Sequence, residues 1–568
     1  MASSGVSQFK GKEDFPLVKD HTLASLLVKT AQKAGTNSAI QCPGENLSLT
    51  FLQLKSEVEK LAAGLLSIGL KPGDRVLLWG GNHLNLFVAA YACSRVGMVF
   101  SSLNPASGPE AVRQYLKIGS FRCLICFPTV KNGAAYDTFS TIDNQILHCS
   151  KGHLESNKFP GLTHVIVAED NVPYNGTFSL SEVFGLGGSN NNALPPVDTV
   201  GKPDDLACIY FTSGTTGDIK GVMQSHYQII NSGMIAAKRL YLDQPGEVLC
   251  CPMPNFRGPV MSLVLASVAG FGTSVVFPAP TALPPAIFKS IQYQKCTCLL
   301  TNPIAFHLML RMPYVKQHDI QSLTSVCFVY DNLPADLISL MKENTNIQDI
   351  TVGVFITELG CMPVFFPFQV LPEKILGTHG TVADHFEVKI VGLDGNPLNI
   401  SAVGEVAVRP VGGSEFLGYC NDPKSSQLRY INGWLHTRDA GSFDASGYLT
   451  IHGQIADVIN QSAHKPVYPW VLERKMAVHP KVLGVQVVGL SGGKGDKDSV
   501  CACVIVKEKA EDTVDRKQLK QDLVQMCREE KMEEPDHVFF LKDFPRASSR
   551  KIQKFKLREL LPSLLKDE

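Results

Sequence analysis

The feature that most constrains this chain is a repeated switch, over short intervals, from helical to strand periodicity. Between residues 51 and 69 the apolar positions Leu52, Leu54, Val58, Leu61, Ala62 and Leu65 recur at three- and four-residue spacing, which predicts a helix with one buried face. Pro72-Gly73-Asp74 then turns the chain into Arg75-Val76-Leu77-Leu78-Trp79, an apolar run too short for a helix and bounded by turn residues. A second helical stretch over 84–96 leads to a short strand at 98–100, and the same alternation returns around 118–127 and 286–300. Helices alternating with short apolar strands require parallel sheets covered on both faces, so the fold class is α/β.

A length of 568 residues calls for more than one structural unit. After about residue 380 the texture changes to short strands punctuated by Gly and Asp, at 387–391, 404–408 and 448–451, predicting a small β-rich subdomain. Beyond residue 457 a helix at 470–478, a strand at 482–488, a Gly/Lys loop at 491–497, a strand at 500–506 and a helix at 516–530 predict a compact α+β module. The reading is a large N-terminal domain, 1–455, and a small C-terminal domain, 456–568. The stretch 185–193, rich in Gly, Ser and Asn, reads as a flexible loop.

With 53 basic and 53 acidic residues the chain has no electrostatic footprint for nucleic acid. No uninterrupted apolar run approaches the length of a span, and candidates such as 84–99 are broken by Asn85, Ser94 and Arg95, so no membrane span is expected. Sixteen cysteines are scattered through strand-like runs, where they read as small core residues in a reducing compartment. Cys123 and Cys126 lack a second pair or a nearby histidine at zinc spacing, and they too read as a buried strand. The first residues show no secretory pattern and the last are not a peroxisomal ending; the expected location is cytoplasmic.

The segment richest in chemistry follows the strand-like residues 207–211. It reads Thr212-Ser213-Gly214-Thr215-Thr216-Gly217-Asp218-Ile219-Lys220-Gly221. Glycines let backbone N–H groups converge on an anion, hydroxyls add donors, and Lys220 brings a positive charge. The Gly-Lys-Ser/Thr ending of a Walker loop is missing.

This string resembles the phosphate-binding signature of the adenylate-forming superfamily of acyl-CoA synthetases and AMP-dependent ligases, and further matches follow in that family's order. Thr357-Glu358 resembles the pair that meets the ATP phosphates and Mg2+, while Gly433-Trp434-Leu435-His436-Thr437-Arg438-Asp439 resembles the stretch whose aspartate holds the ribose. Asp457 and Tyr468-Pro469 are similar to the hinge and the start of a mobile C-terminal domain. Lys551 to Arg558 resembles the catalytic-lysine segment. The nearest look is to the medium-chain acyl-CoA ligases.

The resemblance implies ATP and Mg2+ as cofactors, a small carboxylic acid as substrate and coenzyme A as co-substrate. It gives Lys551, Thr357 and Glu358 the catalytic roles, with Glu358 on the metal. Thr212, Ser213, Gly214, Thr215, Thr216, Gly217, Lys220, Asp439 and Gln454 go to ATP, and Asn255, Arg257 and Phe355 to the acyl pocket.

Several positions depart from the pattern. Asn255 stands for a histidine, and Val354-Phe355 for an aromatic-glycine pair. Arg438 and Arg550 replace glycines, Gln454 an arginine, Ala456 a charged hinge residue, and Ala463 a glycine in a loop with one residue added near Pro466. Two functions fit: a ligase that forms an acyl-adenylate and then an acyl-CoA, or a relative that keeps nucleotide or acyl binding without turnover.

Overall fold

The computed structural model describes residues 5–128, 134–169, 172–189, 194–213, 219–329, 333–334, 336–366, 372–392, 394–412, 415–460, 466–491, 498–507, 515–546 and 552–565. The helix foreseen at 51–69 spans Phe51–Ser67 and starts at a capping box. Thr50 accepts from the Gln53 amide at 3.3 Å, and the Gln53 side chain accepts from the Thr50 amide at 2.9 Å. It buries Leu54, Val58, Leu61, Ala62 and Leu65, five of the six foreseen positions, while Leu52, in the first turn, is exposed and lies off the packed face.

The following strand, Arg75–Trp79, lies at the centre of a seven-stranded sheet and pairs in parallel with Val99–Leu103 and Cys123–Cys126. A nine-stranded sheet has the parallel run Ser274–Val276, Val248–Cys250, Cys298–Thr301, Ser325–Val329 and Asp349–Val354 at its centre. The helices Leu84–Arg95, His226–Arg239 and Gly258–Phe271 are buried almost all round, and one apolar cluster joins them to strands of both sheets. That burial explains the weak amphipathicity of Leu84–Arg95 and Gly258–Phe271 in the sequence. Cys123 and Cys126 are buried strand residues; all sixteen cysteines are free, and only Cys149 is more than marginally accessible.

The reading of 185–193 as a loop is overturned over its first five residues. Gly185 to Ser189 close the helix Leu180–Ser189, which packs along Phe51–Ser67. Gly187 serves contact: a Cβ on it would stand 1.9 Å from the Lys60 carbonyl oxygen, and one on Gly64 would stand 2.0 Å from that of Val183. Residues 190–193 lie outside the described segments.

The β-rich subdomain is a six-stranded sheet built from Phe386–Val391, Gly404–Pro410, Trp434–Phe443, Tyr430–Ile431 and Leu449–Gln454, with Gln8–Lys10 added at its edge. This edge strand, nearly 380 residues away in sequence, was not foreseen. Past residue 457 the strands Val482–Leu490, Ser499–Val506 and His537–Phe540 form a three-stranded sheet, flanked by the helices Pro469–Ala477, Arg516–Glu529 and Lys554–Leu564. The loop foreseen at 491–497 lies almost wholly outside the described residues. Among the described residues no helix is long and apolar enough to cross a membrane.

Candidate active site

Thr212 and Lys220 face each other across an antiparallel hairpin. Thr212 ends the Leu206–Ser213 strand, Lys220 begins Ile219–Ser225, and the two are register partners. The hairpin therefore closes the segment containing Gly214, Thr215, Thr216 and Gly217, four predicted ATP ligands that lie outside the described residues. Ser213 is placed on the strand, paired with Ile219.

Lys220 points its ammonium group at two neighbours. It lies 3.6 Å from an Asp422 carboxylate oxygen and 4.9 Å from the centre of the Tyr419 ring. Hydrogen bonds from Ser425 first, then the Lys220 charge, hold Asp422 below the usual carboxylate range.

Thr357 and Glu358 follow the Asp349–Val354 strand in a short 3-10 turn. The Thr357 carbonyl accepts a hydrogen bond from Gln224, which lies on the Lys220 strand. Its methyl group lies against Gly258: a Cβ there would come within 2.9 Å of Thr357 Cγ2 and 2.7 Å of the Tyr210 ring, so any side chain at this helix start would displace one of them.

Glu358 is buried and accepts a hydrogen bond from the Tyr419 hydroxyl at 2.6 Å, with Arg429 Nη2 3.6 Å from the same oxygen. Burial first, then the Glu358 charge, raises the Tyr419 phenol above its ordinary range. Arg429 and Arg438 pull it the other way. Sequence reasoning missed Tyr419, Asp422 and Arg429. The one local signal was Asp422-Pro423, which starts the helix Pro423–Arg429 through an N-cap bond to Ser425.

Asp439 and Gln454 are register partners on the Trp434–Phe443 and Leu449–Gln454 strands, so both predicted ribose ligands sit at one place on the sheet. Arg438 beside them is exposed with φ of 62°, the left-handed backbone that favours glycine. Its amide donates to Glu405 at 2.9 Å. An arginine has thus been accommodated with the glycine-type backbone intact.

The predicted acyl residues lie on two stretches, 255–257 and 355, that approach each other where Gly258 meets Thr357. Asn255 is fixed in the core: its amide donates to Asn82 Oδ1 at 2.9 Å, its Nδ2 donates to the Gly81 carbonyl at 2.5 Å, and Ser102 donates to its carbonyl at 3.3 Å. Its Oδ1 is sealed from solvent with no hydrogen-bond partner among the described residues. Arg257 is exposed, at the N-cap of Gly258–Phe271. Phe355 follows Asp349–Val354 half-buried, its ring beside Gly353.

Lys551 and Arg550 lie outside the described residues, as does Ala463. The 547–551 segment is closed by a bridge between Arg546 and Ile552. The helix that follows it is tied at two points. Lys554 donates to Glu473 at 2.6 Å, and Arg558 donates to Asp457 at 2.5 Å and to the Ala456 carbonyl at 3.2 Å. Across the candidate hinge, the Trp470 ring stacks on His452 at 4.5 Å.

Among the described residues no three His, Cys, Asp or Glu side chains converge as a metal cage. Glu358 alone fits a magnesium ion held by one carboxylate, substrate phosphates and water, the mode common for this cation.

The order of these segments along the chain is that of the adenylate-forming class. A family model described as AMP-binding enzyme matches residues 27–420, and the chain belongs to this family. It is similar to the mitochondrial medium-chain acyl-CoA ligase ACSF2 of Homo sapiens, 30% identical over 555 residues that cover 95% of this chain and 87% of that protein. Among solved structures it is similar to the anthranilate CoA ligase AuaEII in complex with anthranoyl-AMP, with a TM-score of 0.78 at 21% identity over 97% of this chain and 99% of that one. ATP-bound MatB from Rhodopseudomonas palustris also has a TM-score of 0.78, at 22% identity over 94% and 98% of the two chains. The α/β fold with its small C-terminal sheet is the fold of these enzymes.

Proposed function

We propose that this chain is an AMP-forming acid–thiol ligase that activates a fatty or related carboxylic acid with ATP and transfers it to coenzyme A. The observation that carries the reading is the convergence of Lys220 and Glu358, 138 residues apart, on the two sides of Tyr419. In the first half-reaction the carboxylate oxygen attacks the α-phosphorus and the bond to the β-phosphate breaks, releasing pyrophosphate. In the second, the thiol of coenzyme A attacks the acyl carbon and AMP leaves.

Charge builds on the phosphoryl oxygens in the first step, and Lys220 with the Thr212 hydroxyl lies where it can be met. Magnesium, bound through Glu358, supplies charge neutralisation to the phosphates. Asp439 accepts from the ribose hydroxyls, with Gln454 opposite as a second polar contact. Lys551, delivered from the C-terminal domain 456–568, bridges the acid and the α-phosphate. The likeness to medium-chain ligases supports a fatty acid substrate, and the sixteen free cysteines suit a reducing, cytoplasmic setting.

A second reading has its own support. Arg438 on a left-handed backbone and Asn255 in place of a histidine favour a relative that binds nucleotide or acid without turnover. Carboxylate-dependent exchange of labelled pyrophosphate into ATP, over short, medium, long and aromatic acids with magnesium and without coenzyme A, decides between them. Exchange with any acid establishes adenylate formation and names the substrate class. Retained ATP binding with no exchange across the panel selects the second reading.

A further inference from the structure

Among the described residues, Arg429 is a cation beside Glu358 whose hydrogen-bonding capacity is unused. Its side chain is only 15% exposed, and its Nη2 stands 3.6 Å from Glu358 Oε1, too far for a hydrogen bond. Among the described residues it donates no hydrogen bond at all, and its Nε is shut from solvent without a partner. A guanidinium carries five donors in a planar fork, and leaving them unmatched in a largely dry place is costly. Tyr419 has already taken the Glu358 oxygen that faces Arg429, at 2.6 Å.

The surroundings say what would satisfy it. Lys220, Arg429 and Arg438 all act on the Tyr419 region, against Glu358 and Asp422, so cations outnumber carboxylates. One short helix, Pro423–Arg429, makes the connection: the Asp422 carboxylate at its start faces Lys220, and Arg429 at its end faces Glu358. Lys220 and Arg429 thus both border Tyr419, and the Nη groups of Arg429, unlike Nε, are not sealed off. A planar fork with open amino groups beside a lysine suits two oxygens of a polyphosphate.

We propose that Arg429 is a polyphosphate-binding residue of this site, contacting the β,γ-phosphate end of ATP and the pyrophosphate formed from it. The proposal rests on the nucleotide-site reading above, and its test separates the two. Isothermal titration in EDTA with ATP, inorganic pyrophosphate and AMP is to be run on the full-length wild type and on Arg429→Ala, Arg429→Gln and Arg429→Lys. The expected result is at least about tenfold weaker binding of ATP and pyrophosphate to the Ala and Gln variants, a fold-change in keeping with charge-assisted hydrogen bonds. AMP binding should change less than about threefold, and Lys should recover part of the loss because it restores charge without the fork.

A residue that merely braced Glu358 would instead lower the ligand-free melting temperature and weaken AMP and ATP alike, and that pattern overturns the proposal. So does unchanged pyrophosphate and ATP affinity in the Ala and Gln variants, or a wild type that binds neither. If Arg429→Ala does not fold, Arg429→Gln and Arg429→Lys carry the comparison; a melting-temperature loss in all three variants, with AMP and ATP weakened together, again overturns it. Arg429-dependent ATP binding without carboxylate-dependent exchange leaves the assignment standing and removes the ligase reading.

Discussion

The phosphate end and the acyl end of the candidate site are built on opposite plans. At the phosphate end Lys220, Glu358, Tyr419, Asp422 and Arg429 come from separate stretches and meet through charge, with side chains facing side chains. At the acyl end Asn255 is buried and held by the Gly81 carbonyl and the Asn82 side chain, and Phe355 packs against the main apolar cluster. Charge acts over distance and tolerates a new partner such as Arg429. Close packing tolerates little, so a substitution there changes shape before it changes electrostatics.

The largest effect expected from this contrast is at Glu358. Glu358→Gln keeps the shape and removes the charge, and pyrophosphate exchange should fall by about 10²–10³-fold, as when a transition-state electrostatic contact is lost. AMP binding, measured by titration, should stay within a few fold. An unchanged exchange rate would remove Glu358 from the chemistry and weaken the contrast at its strongest point.

Tyr419→Phe removes the hydrogen bond to a buried carboxylate. Urea unfolding should show a loss of about 2 kcal/mol, in the range for hydrogen bonds to charged groups. No change in the urea midpoint would mean that Arg429 alone suffices as partner for Glu358.

A pH series probes the scaffold behind the phosphate end. Burial holds the His226 imidazole down to about 4, with Asp205 opposing, and burial likewise brings His379 and His452 to about 4. Between the ordinary value of 6.5 and about 4 the unfolded chain binds protons that the folded chain does not. The stabilisation from neutral burial is therefore complete above 6.5 and is lost as pH falls toward 4. Each histidine contributes a slope of ~1.4 kcal/mol per pH unit at most. His226→Gln should flatten the dependence of stability on pH by one proton. Its ATP affinity should be unaffected, because His226 and Lys220 are separated by about 20 Å of strand.

The smallest effect belongs to the acyl end. Asn255→Leu strips the Gly81 carbonyl of its donor but also removes an unpartnered buried oxygen, so the net loss should be about 1 kcal/mol in urea unfolding. Its signature is a changed ranking of acids in the exchange panel with ATP affinity intact. A fall in ATP affinity would break the comparison, because it would place Asn255 at the nucleotide.

What could be read from the sequence follows the same division. The phosphate hairpin, Thr357-Glu358 and the Asp439 segment are local strings, and the structure brings Thr212 opposite Lys220 and Asp439 opposite Gln454. Tyr419 lies 61 residues from Glu358, and nothing in its own neighbourhood announces the contact. The helix Leu180–Ser189 was misread because glycine signals flexibility locally, whereas Gly187 and Gly64 are there to let two helices touch. Helices such as Gly258–Phe271 show little periodicity because every face is buried, which only the assembled fold explains. The strand Gln8–Lys10 finds its place by pairing with Phe386–Val391, a long-range choice that no short window contains.

The cysteine pattern has a practical side. Fifteen of the sixteen thiols are buried, and burial pushes even the half-accessible Cys149 above the ordinary thiol value, while Cys93, Cys251 and Cys298 are pushed up to about 12. A thiol-reactive dye added to the folded protein near neutral pH will thus meet one slow target, and the rest will report only as structure opens. Because those cysteines are spread over both large sheets and the C-terminal sheet, the order in which they become labelled is a map of which part of the molecule lets go first.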